Sequence, residues 1–126
     1  MHPELQKQFT IPSHGLEYGK EVRHGALIIF CQGAFSLANH VRLDEIVAEI
    51  KGAKERRILL DLSDVMYMDS VGVGSLAMIL KHTMTSGVEL ALISNEVVDK
   101  VLAMASLDQV VRVAHSIEEV LGKAAP

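Results

Sequence analysis

The stretch ILLDLSDVMYMDSVGVGSLAMIL, residues 58–80, holds one strand, a link and most of a helix. ILLDL, at 58–62, is apolar except for Asp61, as a strand covered on both faces should be, and this predicts a central place in a sheet. From about Ser70 to Ser86 the spacing becomes helical, with Val73, Leu76, Ala77, Leu80 and Met84 on one face and Gly87 as a C-terminal stop. Between the two lies Met68-Asp69-Ser70-Val71-Gly72, where extended chain gives way to helix. A serine at that point has two physical uses. It can cap a free backbone N–H, or it can offer its hydroxyl at an exposed helix tip within reach of a kinase.

The flanking sequence repeats the alternation of strand and helix. Upstream, LEYGKEVR (16–23) places Leu16, Tyr18 and Val22 on alternate positions, and ALIIFC (26–31) follows across His24-Gly25, a connection suited to a tight hairpin. From Ser36, a plausible N-cap, Leu43, Ile46, Val47 and Ile50 recur at helical spacing. Downstream, VELALI (88–93) is a strand, and Asn95 caps a helix with Val98, Val101, Leu102 and Ala105 on one face. VVRVA (110–114) is a last short strand, and Ser116-Ile117-Glu118-Glu119 is a capping box that opens a final helix through Leu121. The order β-β-α-β-α-β-α-β-α predicts an α/β fold: a mixed, mostly parallel sheet with an N-terminal hairpin and four helices. One domain spans 16–122, with a flexible N-terminal arm at 1–15, which has no period and contains Pro3, Pro12, Ser13 and Gly15, and a short tail at 123–126.

Composition narrows the function. The 126 residues carry 12 Lys+Arg against 16 Asp+Glu, a net charge of −4, and aromatics are 4% with no Trp. Nucleic-acid surfaces want basic charge and stacking platforms, so a nucleic-acid partner is not expected. The basic run KGAKERR (51–57) reads as a solvated turn. No apolar run approaches the length of a membrane span. Cys31 is the only cysteine and sits in an apolar run, which predicts a buried structural thiol. With no disulfide possible and no signal-peptide pattern in MHPELQKQF, a cytoplasmic location is expected.

Candidate chemistry is sparse. Gly72-Val73-Gly74-Ser75-Leu76-Ala77 has the spacing of a dinucleotide fingerprint, but the reading places Ser63 to Val71 between it and the strand, and no acidic residue ends a strand some twenty residues on. The small residues are read instead as letting the helix start lie close to its neighbours. The 6 histidines show no paired metal-ligand spacing, so no metal or other cofactor is expected. Ser70 or Ser75 could pair in space with His40 or His82 as nucleophile and base, although surface or capping roles for these histidines weigh more. Met66, Met68, Met78, Met84 and Met104 read as flexible core filler.

At residues 58–80 the sequence resembles the STAS-domain anti-sigma-factor antagonists of bacteria, whose signature is a hydrophobic strand, Asp or Asn, Leu, a short link and then Met-Asp-Ser-Ser/Thr-Gly-Leu-Gly. The resemblance extends over about 16–121, including LAMASLDQVVRVAHSIEEVL. It implies a noncatalytic switch in which Ser70 is phosphorylated by an anti-sigma-factor serine kinase and dephosphorylated by a metal-dependent Ser/Thr phosphatase. Unmodified protein would bind the kinase and release its captive sigma factor. A phosphate at the helix start would meet free N–H groups and a favourable dipole. The partner surface it implies comprises Asp69, Ser70, Val71 and Gly72 with Gly33, Phe35 and Ser36. Two departures stand out: Val71 replaces the second hydroxyl residue, and Gly33-Ala34-Phe35-Ser36 replaces a Gly-Glu-Leu/Ile-Asp segment, removing both acids and presenting Phe35. Other readings of the same fold are a noncatalytic subunit of a stressosome-like or lipid-transport complex. A small hydrolase or nucleotide-binding protein is the reading of a different class.

Overall fold

A computed structural model describes residues 15–122. The expected arm at 1–15, apart from Gly15, and the tail at 123–126 lie outside those residues. A five-stranded sheet runs in the order β1-β2-β3-β4-β5. β1 (Leu16–Arg23) pairs antiparallel with β2 (Ala26–Phe35), and β3 (Arg57–Met68), β4 (Glu89–Ile93) and β5 (Arg112–Ala114) follow in parallel. The hairpin turns through His24 and Gly25, both at positive φ, 52° and 78°, the geometry whose twist matches paired strands. β3 is central, as the apolar run at 58–62 predicts.

Three helices cover one face: α1 (His40–Lys51), α2 (Ser70–Ser86) and α3 (Glu96–Met104). Leu43, Ile46, Val47 and Ile50 of α1, Leu76 and Ile79 of α2, and Val98 and Leu102 of α3 pack on Leu27, Ile29, Ile58, Leu60, Leu62 and Leu92 of the strands. The opposite face is covered in part. There α4 (Ile117–Leu121) lays Ile117, Val120 and Leu121 over Ala26, Ile28, Leu59, Ala91, Ile93 and Ala114. Each fully buried aliphatic side chain contributes about 1.5–3 kcal/mol, which makes this double-sided sheet the main source of stability.

Several expectations need correction. β3 runs to Met68, well past residue 62, because after leaving β4 at Asp61↔Ile93 it stays paired with β2 up to Phe35↔Met68. Register shifts at Phe30/Gln32 and Gly33/Ala34 absorb the extra residues. The link thought to separate strand from helix therefore shrinks to Asp69. α1 starts at His40, with a 3-10 turn at Leu37–Asn39 before it, and another such turn at Leu107–Gln109 shortens β5.

The buried stripe of α2 is Gly72, Ser75, Leu76, Ile79 and Thr83; Ala77 and Met84 face solvent. Both stripes have helical spacing, and a glycine and a threonine conceal the true one. Val22, at 57% exposed, lies beyond the helical cover, and Ala105 is also exposed. Met66, Met78, Met84 and Met104 are exposed, so Met68 alone of the five internal methionines fills the core. Cys31 is buried as expected, and burial pushes its thiol pKa up, with Asp61 adding to the shift.

Candidate functional site: an exposed serine beside a double cap

β3 delivers Asp69 and Ser70 to the top of the sheet, where α2 begins. The N-cap is Asp69, not Ser70. Asp69 Oδ1 accepts the backbone N–H groups of Val71 at 3.0 Å and Gly72 at 3.1 Å. Its Oδ2 accepts from Leu37 N at 3.0 Å, across the gap to the turn that leads into α1. Its own N–H donates to Phe35 O at 3.1 Å. One carboxylate thus satisfies donors at two element starts, a charge-assisted arrangement that is stronger than a neutral cap. Ser70, the first residue of α2, is exposed, and its hydroxyl is not the cap.

The expectation that a group on Ser70 would find free N–H donors is narrowed by the same bonds. The N–H groups of Val71 and Gly72 are held by Asp69, and Val73 N donates to Asp69 O at 3.0 Å. An anion on Ser70 would stand beside a carboxylate and face outward. The structure brings Phe35, Ser36, Asp69, Ser70, Val71 and Gly72 together, but not all at the surface. Phe35 is 0% exposed, so it is not presented; its carbonyl and ring shape the site from beneath.

Ser36 is buried, caps nothing, and its Oγ has no hydrogen-bond partner; Asp69 accepts the N–H of the following residue. Gly72 is buried, and a Cβ there would overlap Phe35 O and come within 2.7 Å of Phe35 Cβ. The close approach of helix and strand needs that glycine, in line with the packing role read from the small residues. Gly74, by contrast, has open space around it. Gly33 stands apart from this cluster, at φ 122° against Gly15 and Leu16, where only glycine fits.

Two exposed apolar side chains lie on the turn that Asp69 engages and on the helix after it. Leu37 and Val41 are each 63% exposed, and neither follows from the motif. Their spacing of four before the buried Leu43 is the one sequence signal that could have separated them from the core face. His40 Nδ1 lies 3.1 Å from Leu37 O, and no hydrogen bond joins Ser70 or Ser75 to a histidine among the described residues. Ser75 is buried. Among the described residues no group of three or more His, Cys, Asp or Glu could hold a metal, and no helix is long and apolar enough to cross a membrane.

These features define a small α/β domain that presents one serine at a helix start, backed by a carboxylate that the fold has already engaged. The STAS domain family model matches residues 18–120, and the chain belongs to that family. It is 41% identical over 66 residues to a Thermotoga maritima protein named as an anti-sigma factor antagonist, covering 52% of this chain and 58% of that one. The chain thus spans somewhat over half the length of this curated relative. A crystal structure of an anti-sigma factor antagonist from Thermotoga maritima superposes with a TM-score of 0.73 at 28% identity, over 82% of this chain and 91% of the other. The Bacillus protein SpoIIAA shares the fold at 21% identity: its unphosphorylated form gives a TM-score of 0.67 over 86% of this chain and 100% of that one, and its phosphorylated form 0.65 over 83% and 96%.

Proposed function

We propose that this domain is an anti-sigma-factor antagonist that works by partner switching at Ser70. In the unmodified state it binds a serine-kinase anti-sigma factor and so frees the sigma factor that the kinase holds. The kinase then transfers the γ-phosphoryl group of its own ATP: Ser70 Oγ forms the new O–P bond, the bond to the β-phosphate oxygen breaks, ADP leaves, and the serine proton passes to a base on the kinase. A metal-dependent Ser/Thr phosphatase hydrolyses the ester and restores binding. The domain performs no catalysis itself.

The observation that carries this reading is the division of labour at the α2 start. Asp69 does the capping, which leaves the exposed Ser70 hydroxyl available for modification. Phosphate adds about −1.5 to −2 charge. With its neighbouring N–H groups engaged, that charge is presented to a partner and not absorbed by the fold. Like charge and desolvation across an interface cost several kcal/mol, enough to abolish binding. The relatives named as anti-sigma factor antagonists support the reading, as does the existence of SpoIIAA in both phosphorylated and unphosphorylated forms.

The test is partner capture from the native host with wild type, Ser70→Ala and Ser70→Asp as bait, together with phosphosite mapping by mass spectrometry. A kinase held by wild type and Ser70→Ala but not by Ser70→Asp, with phosphate on Ser70, is the expected result. Equal capture by all three baits with Ser70 unmodified would contradict it.

A further inference from the structure

The sheet face opposite α1, α2 and α3 is only half covered. α4 reaches the part built from Ala26, Ile28, Leu59, Ala91, Ile93 and Ala114, and among the described residues nothing covers the upper part over β1, β2 and the end of β3. Cross-strand register places Glu17, Gln32 and Asp64 in one row and Gly19, Phe30 and Asp61 in the next. Gly15, Glu17, Gln32, Gly33, Asp64 and Met66 line a hollow of about 560 Å³. A smaller one of about 170 Å³ shares Glu17, Gln32 and Asp64 and adds Phe30 and Gly19.

The floor is low and mixed, with the polar Gln32 shared by both hollows, Met66 in the larger and Phe30 in the smaller. Phe30 is half-buried, Met66 is 45% exposed, and a Cβ at Gly15 or Gly19 would meet nothing within 4 Å. The charge has one sign. Glu17 and Asp64 are exposed and form no salt bridge among the described residues, and no lysine or arginine lines either hollow. Asp61 is occupied differently, accepting from Ser63 N at 2.9 Å and Ser63 Oγ at 2.6 Å.

We propose that this groove docks a basic amphipathic segment of a protein partner, with apolar side chains on Phe30 and Met66 and lysine or arginine beside Glu17 and Asp64. Charge complementarity selects that occupant: an acidic or purely apolar segment would leave two carboxylates desolvated and unpaired. The groove lies on the far side of the sheet from α2, so it can be filled whether or not Ser70 is modified. The inference therefore stands apart from the switch at Ser70.

The full chain, isotope-labelled, is titrated with a synthetic helical peptide of leucine and lysine, and with a serine and lysine peptide of equal charge, while backbone amide shifts are followed by NMR. The expected result is saturable shifts confined to Glu17, Gly19, Gln32, Asp64 and Met66 with the leucine peptide. Affinity should fall at least about tenfold in the Glu17→Lys/Asp64→Lys variant and stay unchanged in Ser70→Asp. Equal binding of the serine peptide, equal binding by the charge-reversed variant, or shifts on the helices would overturn it. So would shifts of these amides that depend on protein concentration without peptide, which would assign the groove to a second copy, or that respond to Lys7→Glu alone, which would assign it to the chain's own first residues.

Discussion

Asp69 does more structural work than the serine beside it. Its carboxylate accepts three backbone N–H groups, two at the start of α2 and one at Leu37. Losing a single cap costs about 0.5–2 kcal/mol, and here two element starts lose theirs together. Asp69→Ala should therefore destabilise the domain by about 2–3 kcal/mol, read as a lower denaturant midpoint at unchanged slope. Ser70→Ala, which removes no bond described for the fold, should leave the midpoint within about 0.5 kcal/mol of wild type.

At Gly72 an added methyl group has no room against Phe35. Gly72→Ala should cost about 1–3 kcal/mol by overpacking, and a thermal melt would show it. The sequence makes the Asp-Ser-x-Gly string visible, and helix-start chemistry assigns a cap to it. Two residues in it are equally good caps, and only the fold, by bringing Leu37 within reach of the carboxylate, decides between them. The burial of Phe35 and Ser36 was illegible for a related reason: their exposure depends on α2 settling over them, a contact distant in sequence.

The elements themselves were legible where a local rule sufficed. The His24-Gly25 hairpin, the Asn95 cap and half of the Ser116 capping box form, with Val98 N donating to Asn95 Oδ1 at 2.8 Å and Glu119 N to Ser116 Oγ at 3.2 Å, while the Glu119 carboxylate accepts from His115 N at 3.1 Å, one residue short of the box's return bond. What a local rule cannot supply is the length of β3, whose upper half is held by pairing with β2 alone. Asn95 secures the point of departure: its Nδ2 donates to the carbonyls of Leu62, Ser63 and Val65 at 3.3, 2.9 and 2.9 Å. Asn95→Asp keeps an acceptor for the α3 cap but removes those donors, and an unmet buried carbonyl costs about 1–3 kcal/mol. It should destabilise by at least about 2 kcal/mol in equilibrium unfolding, and Asn95→Ala by more.

α3 is also tied to the β5–α4 connection by His115 Nε2 and Asp99 Oδ2, 2.9 Å apart. The hydrogen bond and charge of Asp99 raise the His115 pKa. Burial would lift Asp99, but the hydrogen bonds of Ser94 and His115 and the imidazolium charge leave it lowered. A raised histidine stabilises when protonated and loses that contribution as pH rises through its folded pKa. A lowered carboxyl stabilises when ionised and loses its share as pH falls through its own. The pair therefore contributes between the ordinary carboxylate range and a pH somewhat above about 6.5. An NMR titration should find the His115 pKa raised above that of an ordinary histidine in wild type and lowered by Asp99→Asn.

For the whole molecule, the net charge of −4 excludes little, but its placement matters. A carboxylate already committed to the fold stands beside an exposed hydroxyl, and the exposed Leu37 donates its backbone N–H to that carboxylate. In the proposed switch this surface holds a partner in its neutral state and repels it when Ser70 gains a dianion. The composition made an acidic module readable; that the exposed Leu37 is tied to the motif through Asp69 emerged only with the fold. The most direct test is the dissociation constant for the captured kinase, measured by titration before and after stoichiometric phosphorylation of Ser70. A cost of about 3 kcal/mol at the interface corresponds to roughly 100-fold weaker binding, with the folded state of the domain unchanged by circular dichroism. Equal affinity of the two forms would contradict the proposed switch.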